Sequence, residues 1–259
     1  MDLAAYFRRI DYQGPREPSL RCLEALHLAH ATQIPFENLD LQLGLPIHLD
    51  LEALQTKLVL GGRGGYCFEQ NTLFAAVLAR LGFRLDTLEA RVRFGNPELS
   101  SRSHMVLKVH LPEGEWLADV GFGGEGLLGP IPFGGQVFSC FGDSYRLAEE
   151  GRRTVLKCLK PEGWFDFYVI EPEPAHPIDF IVGNHYTSTY PESRFVITLT
   201  AQLPGPEQRR ILRNRVYTVL GGGQAEVREL RDPEELLQVL RDDFGLDFPV
   251  GTRFKNPVF

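Results

Sequence analysis

Cys67 in GGRGGYCFEQN, His104 directly after the polar run SSRS, and Asp119 in EWLADVGFGG are the residues whose types and order suit acyl transfer. A thiolate that takes up an acyl group and passes it on needs a neighbouring base, usually histidine, and a third group to orient that base. Cys67 is expected in the first turn of a helix, where the positive end of the helix dipole favours thiolate. The glycines before it let other groups approach the backbone and leave amide N–H groups to hold a developing oxyanion. Asp119 interrupts a strand that otherwise reads as buried, so its carboxylate wants a donor, and an imidazole N–H would serve. Each residue alone has a plainer reading. A cysteine packs as a small buried hydrophobe, and a histidine at a strand end needs no role.

The elements that would carry these residues follow from periodicity. Apolar residues near helical spacing mark a helix over 18–32, and Asp50 caps a second one over 50–62. Between them, 34–49 carries two prolines and no sustained period, which makes it an apolar loop. The next helix runs from Cys67 to Leu81, with Phe74, Val77, Leu78 and Leu81 on one face and Gly82 as terminator. From there the period changes to two, through 85–94, 104–111 and 115–120 and then four further strands to 170. Residues 171–177 read as a proline-rich connector, 195–203, 215–222 and 225–230 as strands. A last helix begins at Asp232, with Pro233 in its first position and Glu235 completing a capping box.

These elements leave a spacing problem. With Glu113-Gly114 as a two-residue turn, His104 and Asp119 share a sheet face, but Asp119 falls opposite Lys108. The two are then four residues, or ~13 Å, out of register. A bulge, a longer loop or pairing across different strands is required, and spacing alone does not establish a triad. GFGGEG, 121–126, has the spacing of a dinucleotide fingerprint, but LLGPIPFGG follows and cannot open a good helix, so its use would be a backbone nest at most.

Composition narrows the class further. A chain of 259 residues, 43% hydrophobic and 24% charged, can bury a sizeable core, and eighteen Phe imply aromatic-rich packing. A net charge of −7, with basic residues only in pairs, argues against nucleic acid as partner. Four cysteines without a CxxC pair support neither a disulfide scaffold nor a zinc site. With no targeting segment and no long apolar run, the expectation is a cytoplasmic protein that uses no metal and no membrane.

Taken in order, IPFENLD, RGGYCFEQN, SHM and LADVGFGG, with NHYTSTYPESRF as a weaker fifth match, resemble the arylamine N-acetyltransferase family. The resemblance covers about 190 residues, and beyond residue 200 it rests on length and coarse pattern. It implies an α+β fold: an N-terminal helical bundle (1–83), a central antiparallel β-barrel (84–190) and a C-terminal α/β lid (191–259) around a papain- or transglutaminase-like Cys-His-Asp core. It implies a ping-pong reaction in which Cys67, His104 and Asp119 carry acetyl from acetyl-coenzyme A, as co-substrate, to an arylamine, hydrazine or hydroxylamine. Phe36, Val92, Phe122 and Phe195 resemble acceptor-pocket positions; Ser103, Gly123 and Gly124 resemble positions near coenzyme A. Glu37 and Arg63 are expected to pair and pin the loop against the glycine turn. An amide synthase acting on a polyketide acyl donor, a Cys-His-Asp hydrolase and a binding protein with an inert Cys67 are the competing readings.

Overall fold

Side-chain caps set the ends of the first helices. In the computed structural model, which describes residues 1–94, 100–257 and 259, Asp2 caps α1 (Leu3–Arg9) and Ser19 caps α2 (Leu20–Gln33), each accepting a backbone N–H three residues on. The apolar loop 34–49 contains two short elements, β1 (Phe36–Glu37) and α3 (Leu39–Gln42). Asp50 caps α4 as expected, but the single helix foreseen over 50–62 is α for only one turn (Leu51–Leu54) and widens to a π-helix over Gln55–Leu60. The nucleophile helix α5 spans Cys67–Arg80 and stops at Gly82, whose φ of +90° suits glycine. Its buried face, with Phe68, Phe74, Val77 and Leu78, packs against α2 and β-sheet residues in the largest apolar cluster. Each such side chain contributes about 1.5–3 kcal/mol on burial.

The period-two region forms β2 (Arg84–Val92), β3 (His104–Leu111), β4 (Gly114–Ala118), β5 (Ile131–Pro132), β6 (Phe138–Cys140), β7 (Asp143–Glu150), β8 (Arg153–Lys160) and β9 (Gly163–Pro174). They hydrogen-bond antiparallel in the order β5-β4-β3-β2-β9-β8-β7-β6. The sheet curls until β5 lies against β7 and Trp116 of β4 meets Phe138 of β6, making a nearly closed barrel around a second apolar cluster. The connector expected at 171–177 is mostly the end of β9, and Pro177 opens α6 (Pro177–Thr189). The strand expected at 195–203 is divided between α7 (Arg194–Ile197) and β10 (Thr200–Leu203).

β10 continues into β11 (Gln208–Arg213), β12 (Val216–Gly221) and β13 (Gln224–Glu229), an antiparallel sheet backed by α8 (Pro233–Phe244) over a third cluster. β1 adds to its edge, Phe36 opposite Gln202, so the loop that precedes the nucleophile is stitched into the C-terminal sheet. Asp232 and Pro233 open α8 as expected. Glu235, however, accepts the N–H of Arg231 rather than that of Asp232, so the capping box is absent there. A carboxylate of this kind operates at α5 instead, where Glu69 accepts the Tyr66 N–H at 3.0 Å.

The hairpin between β3 and β4 removes most of the spacing problem. Leu111 pairs with Gly114 and Leu107 with Ala118, so the turn is Pro112-Glu113, one residue earlier than a Glu113-Gly114 turn. Extended by one residue, that register sets Asp119 opposite Val106 and only two residues from His104, a diagonal of roughly 7–8 Å between backbones. Two side chains on one face span that gap.

Candidate active site

Cys67 opens α5, His104 opens β3 and Asp119 follows the last residue of β4, so three elements converge at their ends. His104 Nε2 donates to Asp119 Oδ2 at 2.8 Å. Its other nitrogen, Nδ1, is left for the Cys67 side chain, which favours the charged ring. Cys67 Sγ also lies 3.5 Å from the carbonyl oxygen of Ser103, the residue before the histidine. All three side chains are buried, and the imidazole is held between the rings of Tyr168 and Phe122, at 4.9 and 5.4 Å.

Burial by itself would drive His104 to its neutral form. The charge and hydrogen bond of Asp119, reinforced by Cys67, outweigh it and push the imidazole up to about 10. Asp119 moves the other way: burial would raise it, but His104, Asn71 and the Gly121 N–H hold it below the usual carboxylate range. The site therefore favours an imidazolium facing an anionic carboxylate on one side and the Cys67 sulfur on the other.

Sequence reasoning missed Asn71. Its amide nitrogen donates to Met105 O at 2.7 Å and to Asp119 Oδ1 at 2.9 Å, and its oxygen accepts the Val120 N–H at 3.1 Å. Asn71 stands one turn beyond Cys67 on α5, so one side chain fixes the nucleophile helix to both the histidine strand and the aspartate turn. The signal available in the sequence was the i, i+4 spacing, which puts Cys67 and Asn71 on one helix face.

The glycines of 61–65 serve a purpose other than clearance around the reacting sulfur. A Cβ on Gly64 would meet the Pro35 carbonyl oxygen, and it is Gly121 whose Cβ would lie 2.8 Å from the Cys67 Cα. The amides of this turn are also occupied: Gly64 donates to Glu37 Oε1, Gly65 to Pro35 O and Tyr66 to Glu69 Oε2. They are not free for an oxyanion. The expected Glu37–Arg63 pair is present at 2.7 Å and belongs to a larger cluster. Arg63 also reaches Asp40 at 2.9 Å, and Lys57, from the π-helical turn, bridges Asp40 and Glu69 at 2.7 Å each. Glu69 is raised to about 7 by burial, offset by Lys57. Tyr66 OH donates to Asn184 on α6, which ties the same turn to the C-terminal part.

A cavity of about 460 Å³ opens over Cys67 and His104. Phe36, Val92, Phe122, Phe195 and Ser103 all line it. Gly123 and Gly124 do not. They pack behind the wall, with Gln202 Oε1 accepting the Gly124 N–H at 2.7 Å, so that amide is not available to a phosphate. Cys22 and Cys158 are buried, Cys140 is half-buried, and none of them lines the cavity.

A family model described as N-acetyltransferase matches residues 19–252. The chain is 39% identical to an arylamine N-acetyltransferase of Mycolicibacterium smegmatis over 95% of its own length and 92% of the relative's. It is 38% identical to one of Escherichia coli K12, over 93% and 87%. Among solved structures, Mycobacterium marinum arylamine N-acetyltransferase in complex with coenzyme A superposes with a TM-score of 0.91 at 36% identity, covering 95% of this chain and 93% of that one. The three-part α+β fold, the motif order and these near full-length matches agree: the chain belongs to the arylamine N-acetyltransferase family.

Proposed function

We propose that this protein transfers acetyl from acetyl-coenzyme A to the nitrogen of an arylamine, arylhydrazine or N-hydroxyarylamine, through an acetyl-Cys67 intermediate. The observation that carries the reading is Cys67 lining one aromatic-walled cavity together with His104, which is hydrogen-bonded to Asp119, in a chain of this family. In the first half-reaction the Cys67 thiolate attacks the thioester carbonyl. The carbon–sulfur bond to coenzyme A breaks, and the leaving thiolate takes the proton of the His104 imidazolium. In the second, the amine attacks the acetyl-enzyme and gives its proton to the now neutral His104, and the Cys67 thiolate leaves. Because Gly64, Gly65 and Tyr66 have their amides engaged, the oxyanion falls to the first turn of α5, beginning with the Cys67 N–H.

Phe36, Val92, Phe122 and Phe195 supply the acceptor's walls, and Ser103 borders the acyl group. Residues 1–83 deliver the nucleophile, 84–190 the histidine and aspartate, and 191–259 the lid, in a protein working in the cytoplasm. Mass spectrometry of the intact protein with acetyl-coenzyme A tests this. One acetyl increment, discharged by an arylamine and absent from Cys67→Ala, is the expected result. An acetyl adduct that persists in Cys67→Ala contradicts it, and an adduct released as fast by water as by amines points to a hydrolase.

A further inference from the structure

The lining of the cavity carries two cations that are not held in ion pairs among the described residues. Arg194, the first residue of α7, and Arg213, the last of β11, both line the space above Cys67. Among the described residues neither forms an ion pair, whereas the other charged groups of the lining are engaged. Arg93 bonds Glu150 and Asp166, Glu125 bonds Lys160, and Glu192 accepts from Tyr190. Burial, and after it the charge of Arg194, hold the Arg213 guanidinium below its usual range, against the pull of Glu125. Two like charges brought together at a cavity are unfavourable until an anion joins them.

Their position relative to the aromatic wall defines what that anion is attached to. Phe36 pairs with Gln202, Gln202 with Ile211, and Thr200 with Arg213. Arg213 thus projects from the same sheet face as Ile211, two residues, or about 7 Å, farther along. The rings of Phe36 and Phe195 stand 5.9 Å apart on the way. An aromatic amine with its nitrogen toward Cys67 and its ring along Phe36 and Phe195 directs the far ring position to this pair. The coenzyme A phosphates, separated from the thioester by the whole pantetheine arm, are the competing claimant to the same charges.

We propose that Arg194 and Arg213 form a carboxylate-binding subsite that selects acceptors whose ring bears a carboxylate on the side opposite the amine. The proposal rests on the acetyl-transfer reading above. A guanidinium fork matches a carboxylate with two parallel hydrogen bonds, which lysine does not reproduce.

The test compares the wild type with Arg213→Gln, Arg194→Gln, the double variant and Arg213→Lys on 4-aminobenzoate and the uncharged 4-anisidine. The ratio of kcat/KM for 4-aminobenzoate over 4-anisidine is expected to fall roughly 10- to 100-fold in the glutamine variants, with only partial recovery in Arg213→Lys. An unchanged ratio overturns the proposal, and an unchanged ratio with a raised KM for acetyl-coenzyme A assigns the charges to the phosphates. A second arm does not depend on turnover: calorimetry with benzoate is expected to show binding to the wild type and its loss in the double variant. Equal benzoate binding by both overturns the subsite. Failure of the wild type to acetylate either amine would instead refute acetyl transfer to arylamines, and benzoate binding would then decide the role of the two arginines by itself.

Discussion

Three histidines of this protein are almost equally removed from water, yet they sit in opposite electrostatic states. His27 and His30, on α2, are 0% exposed, and His104 is 2% exposed. Burial drives His27 down to about 4 and His30 down to about 3, and nothing nearby reverses it. Their hydrogen bonds are those of neutral rings. His27 Nε2 accepts the Asp119 N–H at 3.2 Å. His30 Nε2 faces the Gln70 oxygen, since the Gln70 nitrogen donates to Gly65 O, and this leaves His30 Nδ1 to accept from Tyr6 OH. His104 has a carboxylate 2.8 Å away and is pushed up to about 10. The protonation of a buried imidazole here is decided by its partner rather than by its depth.

The strongest way to break this contrast is to take the carboxylate away. Asp119→Asn leaves the shape of the site but gives His104 a neutral neighbour, as His30 has. Acetyl-enzyme formation, followed by stopped-flow release of coenzyme A, is expected to slow by ~10⁴-fold, with the circular dichroism spectrum retained. A loss under tenfold would mean that His104 does not depend on Asp119.

Asn71→Ala leaves all three triad side chains in place and removes the side chain that joins their elements. A misplacement of about 1 Å lowers kcat by on the order of 100-fold, while the KM for acetyl-coenzyme A stays near the wild-type value. The orphaned Val120 N–H and Met105 carbonyl cost about 1–3 kcal/mol of stability each if water does not reach them. A parallel rise in KM would indicate general damage to the cavity in place of lost positioning.

How far the sequence reveals this contrast depends on the residue. Cys67, His104 and Asp119 can be found from chemical type and motif order, and the α5 helix from its apolar face and Gly82 stop. Their register cannot, because choosing Pro112-Glu113 over Glu113-Gly114 as the turn shifts every partner along the strand. The α6 helix is hidden in a segment rich in β-branched residues with a central glycine, which are weak helix formers. Its signs were Pro177 in the first position and Asp179 accepting the His176 N–H at 2.8 Å. The bonds that join Asn71, His30 and Gln70 to distant groups cannot be read from the sequence, since those partners lie at sequence separations of 24 to 49 residues. The glycines before Cys67 are conspicuous in sequence, but what presses on Gly64 is the Pro35 carbonyl, which only the fold brings there.

A smaller effect separates the histidines by pH. His27 and His30 have folded values below the ordinary 6.5, so between about pH 6.5 and 4 the unfolded chain binds more protons than the folded one. Stability therefore falls as pH drops through that window, by up to about 1.4 kcal/mol per pH unit for each ring. His104 has the opposite sign: its folded value lies above 6.5, its contribution is complete below that pH and is lost as pH rises toward 10. His30→Gln is expected to flatten the acid limb in urea unfolding measured from pH 7.5 to 4.5, though its stability at pH 7.5 is lower. An acid limb as steep as the wild type's would show that His30 is not held neutral.

The most direct test of the central claim is the ¹⁵N NMR spectrum of the histidine rings, assigned with His30→Gln and His104→Gln and followed from pH 4.5 to 10.5. At pH 7 the account predicts His104 doubly protonated and releasing its proton only well above pH 8, while His27 and His30 remain neutral down to pH 5. A neutral His104 at pH 7, titrating beside the other two or near 6.5, would contradict it.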